Sequence, residues 1–353
     1  MKKSKKVTPY NLTPGMILAE DIYLNDVKII GEGIVLNEKT IDKISNLYNL
    51  SHICILDEID EFENEAISSK ASDDYKITEK TLKTVSSKAK EMFYSVQTTS
   101  KINLSEVRTI SEDLLSNLKH TGLIIKNITE NREENNYEYR HLVNVAVLSA
   151  LMAKWLELSQ RESLLLIYSG FLHDIGKSKI PENILYKHGS LTTKEMALVK
   201  SHPIKGYNLV KNMQFLDSSV GQAILLHHER LDGSGYPLGL KDNKIPTFAR
   251  IVAIADIFDS MTSNRCYRVK ESPLRALEVI KEDSYKKLDM KFANVFINNM
   301  CDYYTGEIAL LSDDSKAKII KIDPLDITRP LVSVKDTFID LKKEKDLTVI
   351  DIL

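Results

Sequence analysis

The sequence predicts a mainly α protein: a helical bundle with a small α+β unit ahead of it and a short β appendage after it. Two observations predict this. Apolar residues recur at three- and four-residue spacing through most of residues 75–302, a stretch punctuated by helix start signals. On either side the pattern changes to short runs separated by Gly, Pro, Asp and Ser turns. The expected parts are residues 1–60 as the α+β unit, 61–128 as an acidic linker and helical connector, 129–302 as the bundle and 303–353 as the appendage.

In the first part, Met16–Leu18, Val27–Ile30 and His52–Leu56 read as short strands, with turns at Pro14-Gly15 and Gly31-Glu32-Gly33. Asn37–Leu50 has a helical pattern at Ile41, Ile44 and Leu47. Eight acids with few large apolar residues lie between Asp57 and Asp74, which predicts a linker or solvated loop. Leu82, Val85, Ala89 and Phe93 mark one connector helix, and Val107, Ile110, Leu114 and Leu118 a second; together they are a candidate homodimerising hairpin. Within the bundle, Thr192-x-x-Glu195 is a capping box, Thr247 follows Pro246 before an apolar run, and Ser272-Pro273 pairs an N-cap with proline at the first helical position. Beyond 303, Glu307–Leu311, Ala317–Ile322, Leu331–Val334 and Leu347–Ile350 read as strands.

Composition narrows the function classes. The 353 residues carry 48 Lys+Arg against 50 Asp+Glu, so bulk charge makes no case for binding polymeric nucleic acid or a membrane surface. Cys54, Cys266 and Cys301 are odd in number and widely spaced, which fits a reducing cytoplasm and no disulfide framework. No apolar region follows the basic N-terminus, so a signal peptide is not expected, and runs such as Val143–Leu156 fall short of the ~20 residues a membrane span needs.

Several ionisable residues sit in apolar surroundings. His173-Asp174 follows the run Leu164–Leu172, and Asp256 is flanked by Ala253, Ile254, Ala255, Ile257 and Phe258. A carboxylate in such a place is costly unless paired or bound to a metal, and imidazole plus carboxylate suits Zn, Mn or Fe. Taken singly, His141 could be a satisfied core residue and His227-His228 a helix end favoured by the dipole. The ordered set of HDIGK, HHExxDGxGYP and a helix-borne Asp is harder to attribute to packing. His52, His120 and His188 fall outside it and read as structural or surface residues.

These residues resemble the HD-GYP family, a branch of the HD metal-dependent phosphohydrolases whose bacterial members degrade cyclic di-GMP. The likeness runs from His141 to Arg268 through HDIGK-x-x-IP-x-x-IL (His173–Leu185), LT-x-x-E (Leu191–Glu195), HP-x-x-G (His202–Gly206), HHERLDGSGYP (His227–Pro237), IP-x-x-ARIVAIADIFD (Ile245–Asp259) and NRCYR (Asn264–Arg268). It implies an HD-type helical bundle with metal ligands at His141, His173, Asp174, His202, His227, His228 and Asp256, Asp174 bridging two divalent ions, iron with manganese as the alternative. Lys177 would contact the substrate phosphate or leaving oxygen, Tyr236 and Pro237 would shape the pocket, and Arg265 and Arg268 would hold phosphate and guanine. The implied reaction is hydrolysis of cyclic di-GMP to pGpG by a hydroxide activated between the metals, with a second cut to GMP open to the family.

The chain also departs from the family's pattern. Tyr137 stands where some members place a third-metal Glu, and Glu138 is one residue off, about 100° around a helix; two metals are therefore expected. Cys266 replaces a common proline, and Leu288-Asp289-Met290 replaces Phe-Asp-Pro. The segment NLTPGMILAEDI resembles the small domain that often precedes HD-GYP domains. Two alternatives stay open: a slow cyclic-dinucleotide-binding sensor, and a phosphodiesterase for another dinucleotide such as cyclic GMP-AMP.

Overall fold

The computed structural model describes residues 4–9, 12–24, 27–37, 39–41, 44, 53–56, 61–116, 121–130, 137–187, 189–263, 270–334 and 337–352. It divides into two compact units, Met1–Asp74 and Tyr75–Leu353.

In the first unit, β1 (Ser4–Val7) pairs antiparallel with β4 (Ile53–Leu56), and β2 (Ile22–Leu24) with β3 (Val27–Ile30). Neither β1 nor β2 stands out in the sequence, since each is only three or four residues long. The expected strand at Met16–Leu18 is reduced to bridges from Ile17 to Val35 and from Leu18 to Ile55. Leu18, Ile22, Ile30, Leu36, Ile44, Ile53 and Ile55 form a small core of their own. Both expected turns are present, with Gly15 at φ 97° and Gly33 at φ 84° in the left-handed region that glycine enters without steric cost. The helix expected over Asn37–Leu50 is described only at residues 39–41 and 44.

The acidic stretch differs from expectation: α1 (Glu61–Thr99) is a single helix that includes residues 61–74. No Gly or Pro lies between Asp57 and Thr99, Glu, Lys and Ala favour helix, and acids near a helix N-terminus suit its dipole.

After α1, α2 (Leu104–Ser116) corresponds to the second connector helix, and α3 (Thr121–Glu130) is an additional one. Val85, Ala89, Phe93, Val107, Ile110 and Leu114 are buried in the same core as the bundle. The stripe read as a dimerising face is thus covered within the chain.

The bundle follows as α4 (Tyr137–Trp155), α5 (Gln160–Leu172), a 3-10 helix (Ile175–Lys179), α6 (Glu182–Leu185), α7 (Thr193–Val199), α8 (His202–Val210), α9 (Ser218–Leu226), α10 (Thr247–Thr262), α11 (Pro273–Ser284) and α12 (Met290–Tyr304). The Thr192 capping box and the Ser272 cap form as expected, and Ser159 with Glu162 makes a further box. Thr247 is not a cap: Pro246 takes that position and Thr247 is the first helical residue. Helix α4 is buried along almost its whole length from Tyr139 to Ala153, which explains the unbroken apolar run there. No helix among the described residues is long and apolar enough to cross a membrane.

The C-terminal part is a five-stranded antiparallel sheet ordered β8-β7-β6-β5-β9, from β5 (Ile308–Leu311), β6 (Lys316–Asp323), β7 (Asp326–Val334), β8 (Thr337–Asp340) and β9 (Val349–Ile352). Ala309, Leu311, Ala317, Ile319, Ile327, Val332 and Ile352 are buried in the core that also holds the helices. The appendage therefore closes one side of the bundle.

Candidate metal centre

Helix ends converge on one point. His173 caps the C-terminus of α5, His227 caps that of α9, and His202 opens α8. His141 and Asp256 project from within α4 and α10, whose surroundings are otherwise apolar. Two glycines of the motifs let these elements approach. A Cβ on Gly176 would lie 2.0 Å from the His202 carbonyl oxygen, and one on Gly206 would lie 2.8 Å from an Ile224 methyl. A side chain at Gly176 would push the Asp174 turn off α8, and one at Gly206 would press α8 away from α9.

The convergent side chains form two groups that share one carboxylate: His141, His173 and Asp174, and Asp174, His202, His227 and His228. Asp174 Oδ2 lies 3.5 Å from His141 Nε2 and 3.3 Å from His173 Nε2, and its Oδ1 lies 3.0 Å from His202 Nε2 and 4.0 Å from His227 Nε2. Asp256 stands between the groups, 3.2 Å from His141 Nε2 and 3.7 Å from His228 Nδ1. All seven sequence-derived metal positions therefore meet.

The hydrogen bonds behind these rings decide what the cluster can hold. Nδ1 of His173, His202 and His227 contacts the carbonyl oxygens of Gly170, Val199 and Ile224 at 2.7, 2.8 and 2.9 Å. A carbonyl oxygen only accepts, so Nδ1 carries a proton and Nε2 is the ring nitrogen turned inward. Nδ1 of His141 is 2.6 Å from Asp259 Oδ2 and is fixed in the same way. The inward nitrogens lie close together: His141 and His173 Nε2 are 3.2 Å apart, and His202 and His227 Nε2 are 3.4 Å apart. Asp174 Oδ1 is buried without a hydrogen-bond donor. Inward imidazole nitrogens gathered around a buried carboxylate oxygen that has no donor are the ligand types divalent metals take, so the set fits such ions.

Charge in the metal-free cluster follows from the same contacts. Burial works against ionising Asp174, but Lys177, His173 and His202 outweigh it and hold the carboxyl well below the usual range. Burial and the neighbouring His173 and His202 push His227 down to about 3, so this ring stays neutral. His228 is likewise held well below the ordinary histidine value, by burial and then by His227.

Lys177 Nζ sits 2.5 Å from Asp174 Oδ2 and keeps part of its side chain exposed. The Tyr236 ring stacks on His228 at 4.6 Å, and Lys200 Nζ lies 5.3 Å from the Tyr236 centroid. The Tyr137 ring stacks on His141 at 5.5 Å, while Glu138 Oε2 accepts from Tyr186 Oη at 2.6 Å. Arg265, Arg268 and Cys266, like His52, His120 and His188, lie outside the described residues. Asp289, in the departing Leu288-Asp289-Met290 turn, is a helix cap for α12 and pairs with Arg250 at 2.8 Å.

Two positioning residues do not stand out in the sequence. Asp259, fully buried, holds His141 and also accepts from Asn144 Nδ2 at 2.7 Å. Its signal was a second acid three residues after Asp256 in the same apolar helix. Glu229 accepts backbone N–H bonds from Leu238, Gly239 and Leu240 at 2.6, 3.1 and 2.9 Å, which pins the loop carrying Tyr236 to the end of α9. That Glu was visible in HHE, but nothing local revealed partners nine to eleven residues away.

A family model for the HD domain matches residues 111–292, just over half of the chain. A cyclic di-GMP phosphodiesterase of Pseudomonas aeruginosa is 31% identical over 64% of this chain and 54% of its own length. A 3'3'-cGAMP-specific phosphodiesterase of Vibrio cholerae is 35% identical over 53% of this chain and 43% of its own length. The chain thus spans about half the length of the curated relatives it matches. Among solved structures, a HDG"Y"P protein from Bdellovibrio bacteriovorus superposes with a TM-score of 0.50 at 18% identity, over 84% of this chain and 99% of its own, a likeness of fold.

Proposed function

Because the chain belongs to the HD-domain family and carries the HDIGK and GYP signatures, we propose that it is a metal-dependent phosphodiesterase opening cyclic di-GMP to pGpG, and pGpG to GMP. The observation that carries this reading is Asp174, a buried carboxylate shared by two histidine groups, with Nε2 of His173, His202 and His227 turned inward. His141, His173, Asp174 and Asp256 would hold one ion, and Asp174, His202, His227 and His228 the other, iron with manganese as the alternative. Bound there, divalent ions supply Lewis acidity toward phosphoryl oxygens and lower the pKa of water toward neutrality. Two ions rather than three suit this site, since an aromatic ring at Tyr137 covers His141 and Glu138 is engaged by Tyr186.

The chain's own residues do the rest. The carbonyl and Asp259 contacts hold the imidazoles in one tautomer, so no reorganisation is needed when charge develops on phosphorus. The Lys177 ammonium, beside Asp174, binds a phosphoryl oxygen and neutralises the charge on the leaving 3′-oxygen. The Tyr236 loop walls the pocket, and Arg265 and Arg268 grip phosphate and guanine. Residues 129–302 are then the catalytic part, working in the cytoplasm.

The test is turnover of cyclic di-GMP, 3'3'-cGAMP and pGpG by metal-loaded protein, followed by chromatography of the products. Preference for cyclic di-GMP is expected; faster 3'3'-cGAMP hydrolysis would favour the second reading, which the 35% identical relative motivates. Tight binding with no product under any metal would make the chain a sensor, a role for which seven convergent metal-binding side chains have no use. Unimpaired hydrolysis by His173→Ala or Asp174→Ala would remove the site assignment.

A further inference from the structure

Lys179 lies two residues beyond Lys177 on the same short 3-10 helix, Ile175–Lys179, yet its ammonium is engaged elsewhere. It donates to the carbonyl oxygens of Val96 at 2.7 Å and Gln97 at 3.0 Å and to Ser100 Oγ at 2.8 Å. A lysine ammonium has three protons, and these three acceptors account for all of them. The acceptors are the C-terminal end of α1, where last-turn carbonyls lack intrahelical partners and a cation suits the dipole. The end itself is unusual. Ser100, at φ 57°, occupies the left-handed position that glycine normally takes, and its N–H bonds Val96 O at 2.9 Å. A second tie runs from Gln97 Nε2 to Glu182 Oε1 at 3.1 Å, just past the same turn.

The turn so anchored carries the chemistry. Lys177 N–H bonds Asp174 O and Ile180 N–H bonds Lys177 O, both at 2.9 Å, so Asp174, Lys177 and Lys179 move as one small unit. Gly176 seats one side of it against α8. Lys179 fixes the other side to the connector. We propose that Lys179 is a positioning residue that couples the C-terminal end of the connector helix to the turn bearing Asp174 and Lys177, so that the state of this helix end sets the placement of the Lys177 ammonium. The proposal rests on the reading of Lys177 as the phosphate-binding group of a hydrolase.

The experiment compares the full chain with Lys179→Met and Lys179→Arg, reading kcat and KM for cyclic di-GMP, bound metal, melting temperature, and hydrogen exchange of residues 96–101 and 175–180. For Lys179→Met we expect kcat to fall about tenfold with KM within about threefold, as displacement of a positioned group does. Metal content should be unchanged, and exchange should quicken in both segments together. Lys179→Arg, which reaches the same acceptors, should recover most of kcat. Wild-type kcat or unchanged exchange in Lys179→Met overturns the proposal, as does a loss that tracks metal release and that arginine does not rescue. If the parent chain hydrolyses no cyclic dinucleotide, the functional reading fails, and the exchange comparison still decides whether Lys179 joins the two segments.

Discussion

Replacing Asp259 by Asn removes one charge from behind the metal cluster without removing a side chain. Asp259 accepts from His141 Nδ1 at 2.6 Å and from Asn144 Nδ2 at 2.7 Å, and it is fully buried. A hydrogen bond to an ionised acceptor contributes about 1.5–3 kcal/mol against about 0.5–1.5 for a neutral one. Losing that assistance on the His141 bond therefore weakens the ligand by about 1.4 kcal/mol, which is about tenfold in metal affinity and agrees with the usual effect of partners behind a metal-bound histidine. The Asn144 bond survives, because the Asn144 amide can rotate to accept from the new one. Asn144→Ala is the control: it leaves the carboxylate on His141, so metal affinity should change by less than about threefold. The assay is competition for metal against a chromophoric chelator, with the melting temperature of the metal-free variants measured alongside. Wild-type affinity in Asp259→Asn, or an equal loss in Asn144→Ala, would refute the idea that Asp259 acts through the His141 ring.

Four further outcomes are expected. In the metal-free chain burial opposes charging of His141, but Tyr137 and the carboxylates of Asp174, Asp256 and Asp259 win and hold its pKa well above 6.5. Such a raised pKa contributes stability fully present below about 6.5 and lost as pH rises through the folded-state value. Metal binding needs the neutral ring, so uptake should release a proton and tighten with rising pH, as calorimetry in buffers of different ionisation enthalpy would read; no net release near neutral pH would contradict this. Lys177→Met should lower kcat by about 10²–10³-fold with metal content intact, checked by turnover with elemental analysis. Gly235→Ala would place a Cβ 2.5 Å from backbone atoms of His228, Glu229 and Arg230, so the Tyr236 loop must shift and turnover should fall at least about tenfold while metal is retained. Burial pushes the Cys301 thiol up to about 12, so at pH 8 a chromogenic disulfide should label Cys301 only after denaturation.

The metal-binding positions were legible because each is a chemically costly residue in an apolar run: Asp256 among Ala and Ile, and His173-Asp174 after Leu172. Local patterning also reveals caps, since Thr192 and Ser272 contact backbone only three residues away. What was hidden depends on distance along the chain. Asp259 acts on a ring 118 residues earlier, and Lys179 acts on carbonyls 82 and 83 residues earlier. The N-terminal part of α1 was hidden for another reason. Its acids lack an apolar stripe, and periodicity cannot distinguish a solvated helix from a loop when every face is polar.

The helix ends resolve the conflict between a charged cluster and an apolar bundle. A helix that stops inside a core leaves its last carbonyls without partners, which is costly. Here His173 and His227 each return an Nδ1–H to the carbonyl three residues back, and His202 does the same to Val199 at the end of the preceding helix. One imidazole thus satisfies a backbone acceptor with one nitrogen and turns the other inward. Removing such a histidine should cost both functions together. Replacing His202 by Gln keeps a donor that can reach the carbonyl but offers no inward imidazole nitrogen, so it should preserve the metal-free melting temperature better than His202→Ala while both variants lose metal. Equal melting temperatures for the two would show that the carbonyl bond contributes nothing to the fold and that these rings are held by the metal alone.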